Sequence, residues 1–346
     1  IENNLCWQEY FEEEADQKIY PLKNMLKLKI NIFLNFFVTI ALLILFPILS
    51  QNKSFADAAG SNNINDHLKK RVELKKNQKE FSCRGELICG VSLIPQFYQQ
   101  RGFSPAWTEK EGILPQARSL VAEINRANHE GLRSDDYHRA NIVSLVKMIE
   151  KKQAVGKTVD PEIWVDLDLL LTDAFMLYSS HLLAGRVNPE TIHSDWIVVN
   201  STADLTDILR SALHSNQITK ALRDLQPLHS GYFGLKQALA QYRNIAKKDD
   251  WPPVSPSTNL RKGDTGISVQ GLRERLVILG DLENTKKDRG DFFDEATEWA
   301  VQMFQKRHGL KSDGIVGTRT LEMLNIPIQQ RVRQIELNME RWRWTP

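Results

Sequence analysis

The stretch LRKGDTGISVQGLRERLVILG, residues 260–280, has the apolar spacing of a short amphipathic helix preceded by a glycine-containing turn. Spacings of 3, 4 and 3 place four apolar side chains on one helical face: Val269, Leu272, Leu276 and Leu279. Gly263 and Gly266 allow the turn before the helix, and Gly280 stands where a C-terminal cap belongs. The stretch therefore predicts a helix with one buried face.

Two more stretches continue this pattern. In FDEATEWAVQMFQKRHGL, residues 293–310, Asp294 is placed to cap a second helix, whose core-facing residues are Ala300, Val301 and Phe304. In SDGIVGTRTLEMLN, residues 312–325, a glycine-rich turn leads into a short helix over Thr318–Leu324. We therefore predict three short helices around one small core at residues 258–325.

Helical patterns also dominate the chain upstream of this module. From Ile163 to Leu183 the apolar residues keep helical spacing, and Gly185 follows as a C-terminal cap. Two shorter helical patterns cover Leu205–Leu213 and Gly234–Ala246. No alternating apolar run is long enough for a large sheet. The predicted fold class is mainly α, with a helical domain at residues 91–250 followed by the three-helix module.

The segment WPPVSPST, residues 251–258, separates the two predicted domains. It has three prolines in eight residues, which favours extended backbone and predicts a stiff linker.

The N-terminal region has the pattern of an export signal. Residues 25–58 contain Lys27 and Lys29, an apolar run over 32–49, and an A-x-A sequence that ends at Ala58. They predict either a cleaved signal peptide or an uncleaved anchor, and export in both cases. Residues 1–24 are then an upstream prefix, and we expect residues 59–90 to be a polar spacer, with a frayed helix as the alternative over residues 59–80.

Three cysteines occur in the chain, and Cys6 belongs to the prefix. Cys83 and Cys89, which are separated by five residues, could form a small-loop disulfide in an oxidising compartment. The alternative is two thiols, and the sequence leaves both open.

Charge and short motifs exclude several classes of function. The 346 residues contain 45 Lys plus Arg and 43 Asp plus Glu, so the net charge of +2 gives no reason to expect nucleic-acid binding. Ser144–Lys147 has the S-x-x-K pattern of penicillin-binding enzymes without their partner motifs. The histidines lack zinc-ligand spacing, so we predict neither a metal site nor a cofactor. Three acidic residues near one helix start are expected to be solvated: Asp166, Asp168 and Asp173.

The three stretches within residues 258–325 resemble the peptidoglycan-binding domain of the three-helix type, which occurs in many cell-wall hydrolases and transpeptidases. The resemblance implies peptidoglycan, glycan and peptide stems, as the partner. Candidate binding residues lie on the two glycine-rich loops: Asp264, Thr265, Asp313, Thr318 and Arg319. Trp299 either offers an aromatic platform for a sugar or packs against the core or a neighbouring element.

Upstream segments are similar to the helical scaffold of the large, YcbB-type L,D-transpeptidases of Gram-negative periplasms. They are FYQQRGFSPAWT (97–108), EGLRSDDYH (130–138), DLLLTDAFMLYSSHLLAGRVNPETIHSDW (168–196) and LRDLQPLHSGYFGLKQALAQYR (222–243). The segment RVRQIELNMERWRW (331–344) resembles the connection to the catalytic domain of that family. The resemblance implies a periplasmic protein of cell-wall cross-linking.

In that family a cysteine nucleophile in a C-terminal YkuD-type domain transfers an acyl group between peptide stems. Its context, like S-x-G-C-x-R, does not occur in these residues, so we assign no catalytic residue and expect no activity of the chain as given. We expect it to bind or scaffold peptidoglycan, with other cell-wall enzymes as further partners. The alternative is a stand-alone periplasmic protein that recruits or regulates other murein enzymes.

The C-terminal segment, residues 326–346, is predicted to be a linker helix toward the missing catalytic domain. Its apolar residues fall on one helical face: Val332, Ile335, Met339 and Trp342. We expect this face to be an exposed apolar patch; the alternative is that it packs back on residues 93–247.

Overall fold

The computed structural model describes residues 64–75, 81–109, 112–189, 203–248, 251, 253–255, 259–283 and 290–345. Its helices are α1 (Ile64–Lys75), α2 (Leu93–Gln100), α3 (Pro115–Asn125), α4 (Arg139–Ala154), α5 (Pro161–Ala184), α6 (Leu205–Ser215), α7 (Ile218–Asp224), α8 (Ser230–Lys247), α9 (Ile267–Leu279), α10 (Glu295–Arg307), α11 (Thr318–Leu324) and α12 (Ile328–Arg343). The mainly α prediction is confirmed.

Short hairpins and 3-10 turns complete the described secondary structure. Strands β1 (Ser82–Cys83) and β2 (Glu86–Leu87) pair antiparallel, as do β3 (Thr108–Glu109) and β4 (Gly112–Ile113). Two 3-10 helices cover Ala127–Glu130 and Ser134–Tyr137.

The chain forms two compact units. One comprises the described residues up to Arg118 together with Ala140–Leu177, and the other comprises Ser119–Arg139 together with Tyr178–Pro346. These units cut across the predicted helical domain, whose boundaries stay a prediction. The predicted prefix and leader lie outside the described residues. Among the helices that the structure describes, none combines the length and apolar character needed to cross a membrane.

The N-terminal part of α5 is the centre of the first unit. It is apolar on nearly all sides, and side chains from Val165 to Leu177 are buried around its whole circumference. Three aspartates on it are buried as well: Asp166, Asp168 and Asp173. The prediction that these aspartates are solvated is wrong, because each accepts hydrogen bonds from an earlier segment of the chain.

Asp168 is the most enclosed of the three acceptors. Its Oδ1 accepts from the Tyr98 hydroxyl (2.7 Å) and from the backbone N–H of Ala106 (2.8 Å). Its Oδ2 accepts from the N–H of Trp107 (3.0 Å) and from the Thr108 hydroxyl (3.2 Å). Burial raises the pKa of this carboxyl, and the hydrogen bonds oppose that rise. Asp168 thereby fixes the backbone that leads into β3.

The other two aspartates fix segments nearer the N-terminus. Asp166 pairs with Arg71 on α1 (3.1 Å) and with Arg84 in the β1–β2 turn (3.0 Å). Asp173 accepts from the backbone N–H groups of Cys89 (3.1 Å) and Gly90 (2.6 Å). The three aspartates of α5 thus fix α1, the β1–β2 turn and the backbone at residues 89–90 and 106–108 against one helix.

Residues 64–75 form a packed helix rather than part of a polar spacer. Within α1, Leu68 and Val72 are buried, and Arg71 pairs with Glu162 and Asp166. The predicted spacer at residues 59–90 is corrected for this segment. Two apolar side chains one turn apart are a weak signal among many lysines, but they suffice when a packing partner is present.

The structure has Cys83 and Cys89 as two thiols, and a disulfide between them stays a prediction. The Cys83 side chain is buried, and its Sγ donates to Asp166 Oδ1 (3.4 Å). Burial raises the pKa of this thiol, and the carboxylate of Asp166 raises it further.

The second unit contains an antiparallel pair formed by α8 and α12. The start of α8 meets the end of α12, where the Arg343 guanidinium donates to the Tyr232 hydroxyl (2.9 Å). The end of α8 meets the middle of α12, where Arg243 pairs with Glu336 (2.6 Å). Between these points Met339 is fully buried against α8.

The apolar face of α12 is therefore covered. It packs against Tyr232, Leu235 and Leu239 of α8, and the ring of Trp342 stacks on His229 at 4.2 Å. The expectation of an exposed patch is wrong, and the alternative, packing back on the helical region, is correct. The reason lies in small residues opposite α12: a Cβ added at Gly231 would come within 2.8 Å of Trp342, and one added at Gly185 within 2.7 Å of Trp344.

The three-helix module also lies in the second unit. Its core joins α9, α10 and α11 through the predicted residues and a few others: Val269, Leu272, Leu276, Leu279, Phe293, Ala300, Val301, Phe304, Val316 and Leu324. Asp294 caps α10 by accepting from Thr297 N–H (2.8 Å), and Gly280 ends α9 with a φ of 78°. The prediction of a small three-helix domain is confirmed.

Candidate functional site

The two glycine-rich loops of the module lie side by side. Val316 donates its backbone N–H to the carbonyl of Leu260 (2.8 Å), which pairs the loops as an antiparallel bridge. A Cβ added at Gly317 would lie 3.3 Å from Asn259 Oδ1, so the loops approach closely there. The sequence separated these loops by about fifty residues, and the fold brings them together.

Helix α10 supports both loops. Lys262 of the first loop pairs with Glu298 (3.3 Å), and a Cβ added at Gly314 of the second would lie 2.9 Å from the Glu298 Cγ. Ser312 donates its hydroxyl to the carbonyl of Gln302 (2.8 Å). We call the two loops and the outer side of α10 the loop face; it comprises residues 259–266, residues 312–317, Trp299 and Met303.

The carboxylates of the two candidate aspartates are used to shape the loops. Asp264 Oδ2 accepts from the N–H of Arg261 (2.8 Å), and the Asp264 carbonyl accepts from Phe293 N–H (2.9 Å). Asp313 Oδ1 accepts from the N–H of Ile315 (3.0 Å), which holds the pKa of Asp313 below its usual value. Both are turn-forming residues first.

Gln305 is a residue of this site that the sequence analysis missed. Its buried side chain accepts from Gly314 N–H (2.9 Å) and donates to the Ile315 carbonyl (2.9 Å) and to Asp313 Oδ1 (3.1 Å). One amide thus satisfies three groups of the second loop. The available signal was a glutamine beside Phe304 at a core-facing position of a helix, where an apolar residue is usual.

The remaining candidates are exposed. Thr265 lies at the bridge with Phe292, while Thr318 and Arg319 occupy the first turn of α11, directly after the second loop. Trp299 is 59% exposed on α10, and Met303, one turn later on the same side, is 38% exposed. Trp299 therefore does not pack into the core of the module, and its role as a platform for a sugar stays a prediction.

The segment before the module is part of it. The Arg275 guanidinium lies 3.5 Å from the centre of the Trp251 ring, and the indole N–H donates to the carbonyl of Ile326 (3.1 Å). Val254 is buried and exchanges two hydrogen bonds with the Asn325 side chain (2.8 and 3.0 Å). Two residues of the predicted stiff linker, Trp251 and Val254, thus pack on the module.

Comparisons with protein-family models give two matches. Residues 92–239 match the Scaffold domain, and residues 265–324 match the family described as a putative peptidoglycan binding domain. A comparison with curated proteins gives no match. The second match covers α9, α10, α11 and the whole second loop, together with the last two residues of the first loop.

Proposed function

We propose that this chain binds and scaffolds peptidoglycan. The premise is that it joins a scaffold domain to a peptidoglycan-binding domain, as the N-terminal region of YcbB-type L,D-transpeptidases does. The partner is the bacterial wall, and the place of action is outside the cytoplasm. The finer proposal is a periplasmic protein of the L,D-transpeptidase family that acts in wall cross-linking. It rests on the resemblance of residues 90–346.

The proposed contribution of these residues is binding rather than acyl transfer. A cysteine acyltransferase needs an accessible thiolate close to a general base. Cys83 is buried, and the carboxylate of Asp166 beside it stabilises the protonated thiol. This environment is the opposite of the one that an acyl-transferring cysteine requires.

The observation that carries the binding proposal is the loop face. Two glycine-rich loops, fixed by internal hydrogen bonds, stand beside an exposed tryptophan on a rigid helix. Such a rigid surface loses little conformational entropy when it binds an extended polymer.

Sedimentation with purified sacculi tests the proposal. We expect the chain to pellet with sacculi and the Trp299→Ala variant to pellet about tenfold less at matched concentration, because the ring supplies contact area. The control is Ile267→Ala, which removes an apolar side chain at the start of α9 that is more exposed than Trp299 and lies outside the loop face. If the unaltered folded chain stays in the supernatant, the binding proposal is wrong.

A further inference from the structure

The exposed aromatic side chain of the module has an apolar neighbour at helical spacing. Trp299 and Met303 are one turn apart on α10, so their side chains cover adjacent parts of one helical side. Among the residues that the structure describes, Trp299 is the one tryptophan whose side chain is classed as exposed. The result is a small aromatic and thioether surface beside two ordered loops.

Carboxylates flank the Trp299 end of this surface, whereas cations stand on the first loop, at Arg261 and Lys262, and one turn after Met303, at Lys306. Glu295 is exposed one turn before Trp299, and Glu298 adjoins it on the loop side with Lys262 as its ion-pair partner. Asp264 and Asp313 stand on the loops, where backbone N–H groups hold their carboxylates in place. A carboxylate of a ligand placed over Trp299 would therefore meet like charges at Glu295 and Glu298.

Peptidoglycan offers two chemically different parts to such a surface. The peptide stems carry ionised carboxylates and need cations or convergent N–H donors for recognition. The glycan consists of N-acetylated hexoses, whose C–H faces are apolar and whose hydroxyl and acetamido groups lie at the rim. An exposed indole fits the apolar face of such a ring, and a methionine fits an acetamido methyl group.

We propose that the Trp299–Met303 surface binds the glycan strand of peptidoglycan and not its peptide stems. The N-acetylhexosamine ring stacks on Trp299, its acetamido methyl contacts Met303, and its rim hydroxyls face the carboxylates of Glu295 and Glu298. This inference rests on the proposed function and specifies which part of the polymer the module recognises.

The test uses the full chain and three probes: intact sacculi, glycan strands freed of stems by an amidase, and the free stem tetrapeptide. We expect the chain to bind sacculi and bare glycan strands, and the stem peptide at millimolar excess to leave both unchanged. Trp299→Ala should weaken binding to bare strands about tenfold, and Trp299→Phe, which keeps a ring, should weaken it less. Ile267→Ala should bind like the unaltered chain.

Circular dichroism of each variant shows whether it is folded. Binding to sacculi that the stem peptide abolishes, or that bare strands do not reproduce, overturns the glycan assignment while the proposed function stands. Equal binding of folded Trp299→Ala to bare strands also overturns it. A folded chain that ignores sacculi altogether refutes the proposed function, and the glycan assignment with it.

Discussion

Asp168 is a single side chain on which an entire turn of the first unit depends. It accepts four hydrogen bonds, three of them from the consecutive residues Ala106, Trp107 and Thr108. Removing the carboxylate leaves these buried donors without an acceptor, and each unsatisfied donor costs roughly 1–3 kcal/mol.

We therefore expect Asp168→Ala to lower the free energy of unfolding by about 3 kcal/mol or more. Chemical denaturation followed by circular dichroism measures it. Asp135→Ala is the matched control, since that aspartate is exposed and pairs only at the surface with Arg139, so its loss should cost less than about 0.5 kcal/mol. Equal stabilities for the two variants would contradict the assigned role of Asp168.

Cys83 allows a second prediction at the scale of one side chain. Its thiol is buried and its pKa is raised, so at neutral pH it should resist iodoacetamide until the protein unfolds. Peptide mapping by mass spectrometry after native and denatured labelling distinguishes Cys83 from Cys89 and Cys6. Rapid native labelling of Cys83, or a Cys83–Cys89 disulfide in air-oxidised protein, would disagree with this structure.

The roles of these residues could not be predicted from the sequence, because a local pattern carries no information about distant hydrogen-bond donors. Asp168 has the same appearance in the sequence as any acid near a helix start, yet its donors lie sixty or more residues earlier. The turn roles of Asp264 and Asp313 could have been read from their positions next to glycines. Gln305 gave only the weak signal of a polar residue on an apolar face.

At the scale of secondary structure, the pair α8 and α12 depends on small residues at its contact. Gly231 lies in the first turn of α8, and a Cβ there would come within 2.8 Å of the Trp342 ring. Gly234 lies one turn later, and a Cβ there meets nothing within 4 Å. The two glycines therefore form a matched pair of sites on one helix.

We expect Gly231→Ala to lower the free energy of unfolding by about 1–3 kcal/mol, because Trp342 must move from its stack on His229. Gly234→Ala should be neutral or stabilising by up to about 1 kcal/mol, since alanine is the better helix former. Thermal unfolding of both variants measures the difference. Destabilisation by Gly234→Ala but not by Gly231→Ala would contradict the packing of α12 on α8.

Helices with strong periodicity and caps were predictable as elements. α5, α9 and α10 follow their apolar spacing, and Gly185, Gly280 and Asp294 mark their ends as expected. α1 was expected only as the alternative to a spacer, a frayed helix, because half of its residues are charged. The partner of α12 was missed because glycines that admit large rings look in the sequence like glycines of any other role.

At the scale of the whole molecule, the proposal that these residues bind peptidoglycan but do not transfer acyl groups gives a prediction about chemistry. We expect these 346 residues to form no cross-links between stems, because no cysteine has the S-x-G-C-x-R context. Incubation with disaccharide-tetrapeptide and chromatography for diaminopimelate-to-diaminopimelate dimers measures this, with an active L,D-transpeptidase as positive control. Dimers above the level without protein would show acyl transfer that we do not assign.

The connection of the module to α8 and α12 has a mechanical consequence. The chain enters the module after the end of α8 and continues from it into α12, and the Arg243–Glu336 pair joins the last turns of α8 to the middle of α12. Because the two helices are antiparallel, a pull on a module bound to the wall, as proposed, would load both of them from the module side. The contacts Arg243–Glu336 and Arg343–Tyr232 join the helices at two points along their length, so we expect the load to be shared between them.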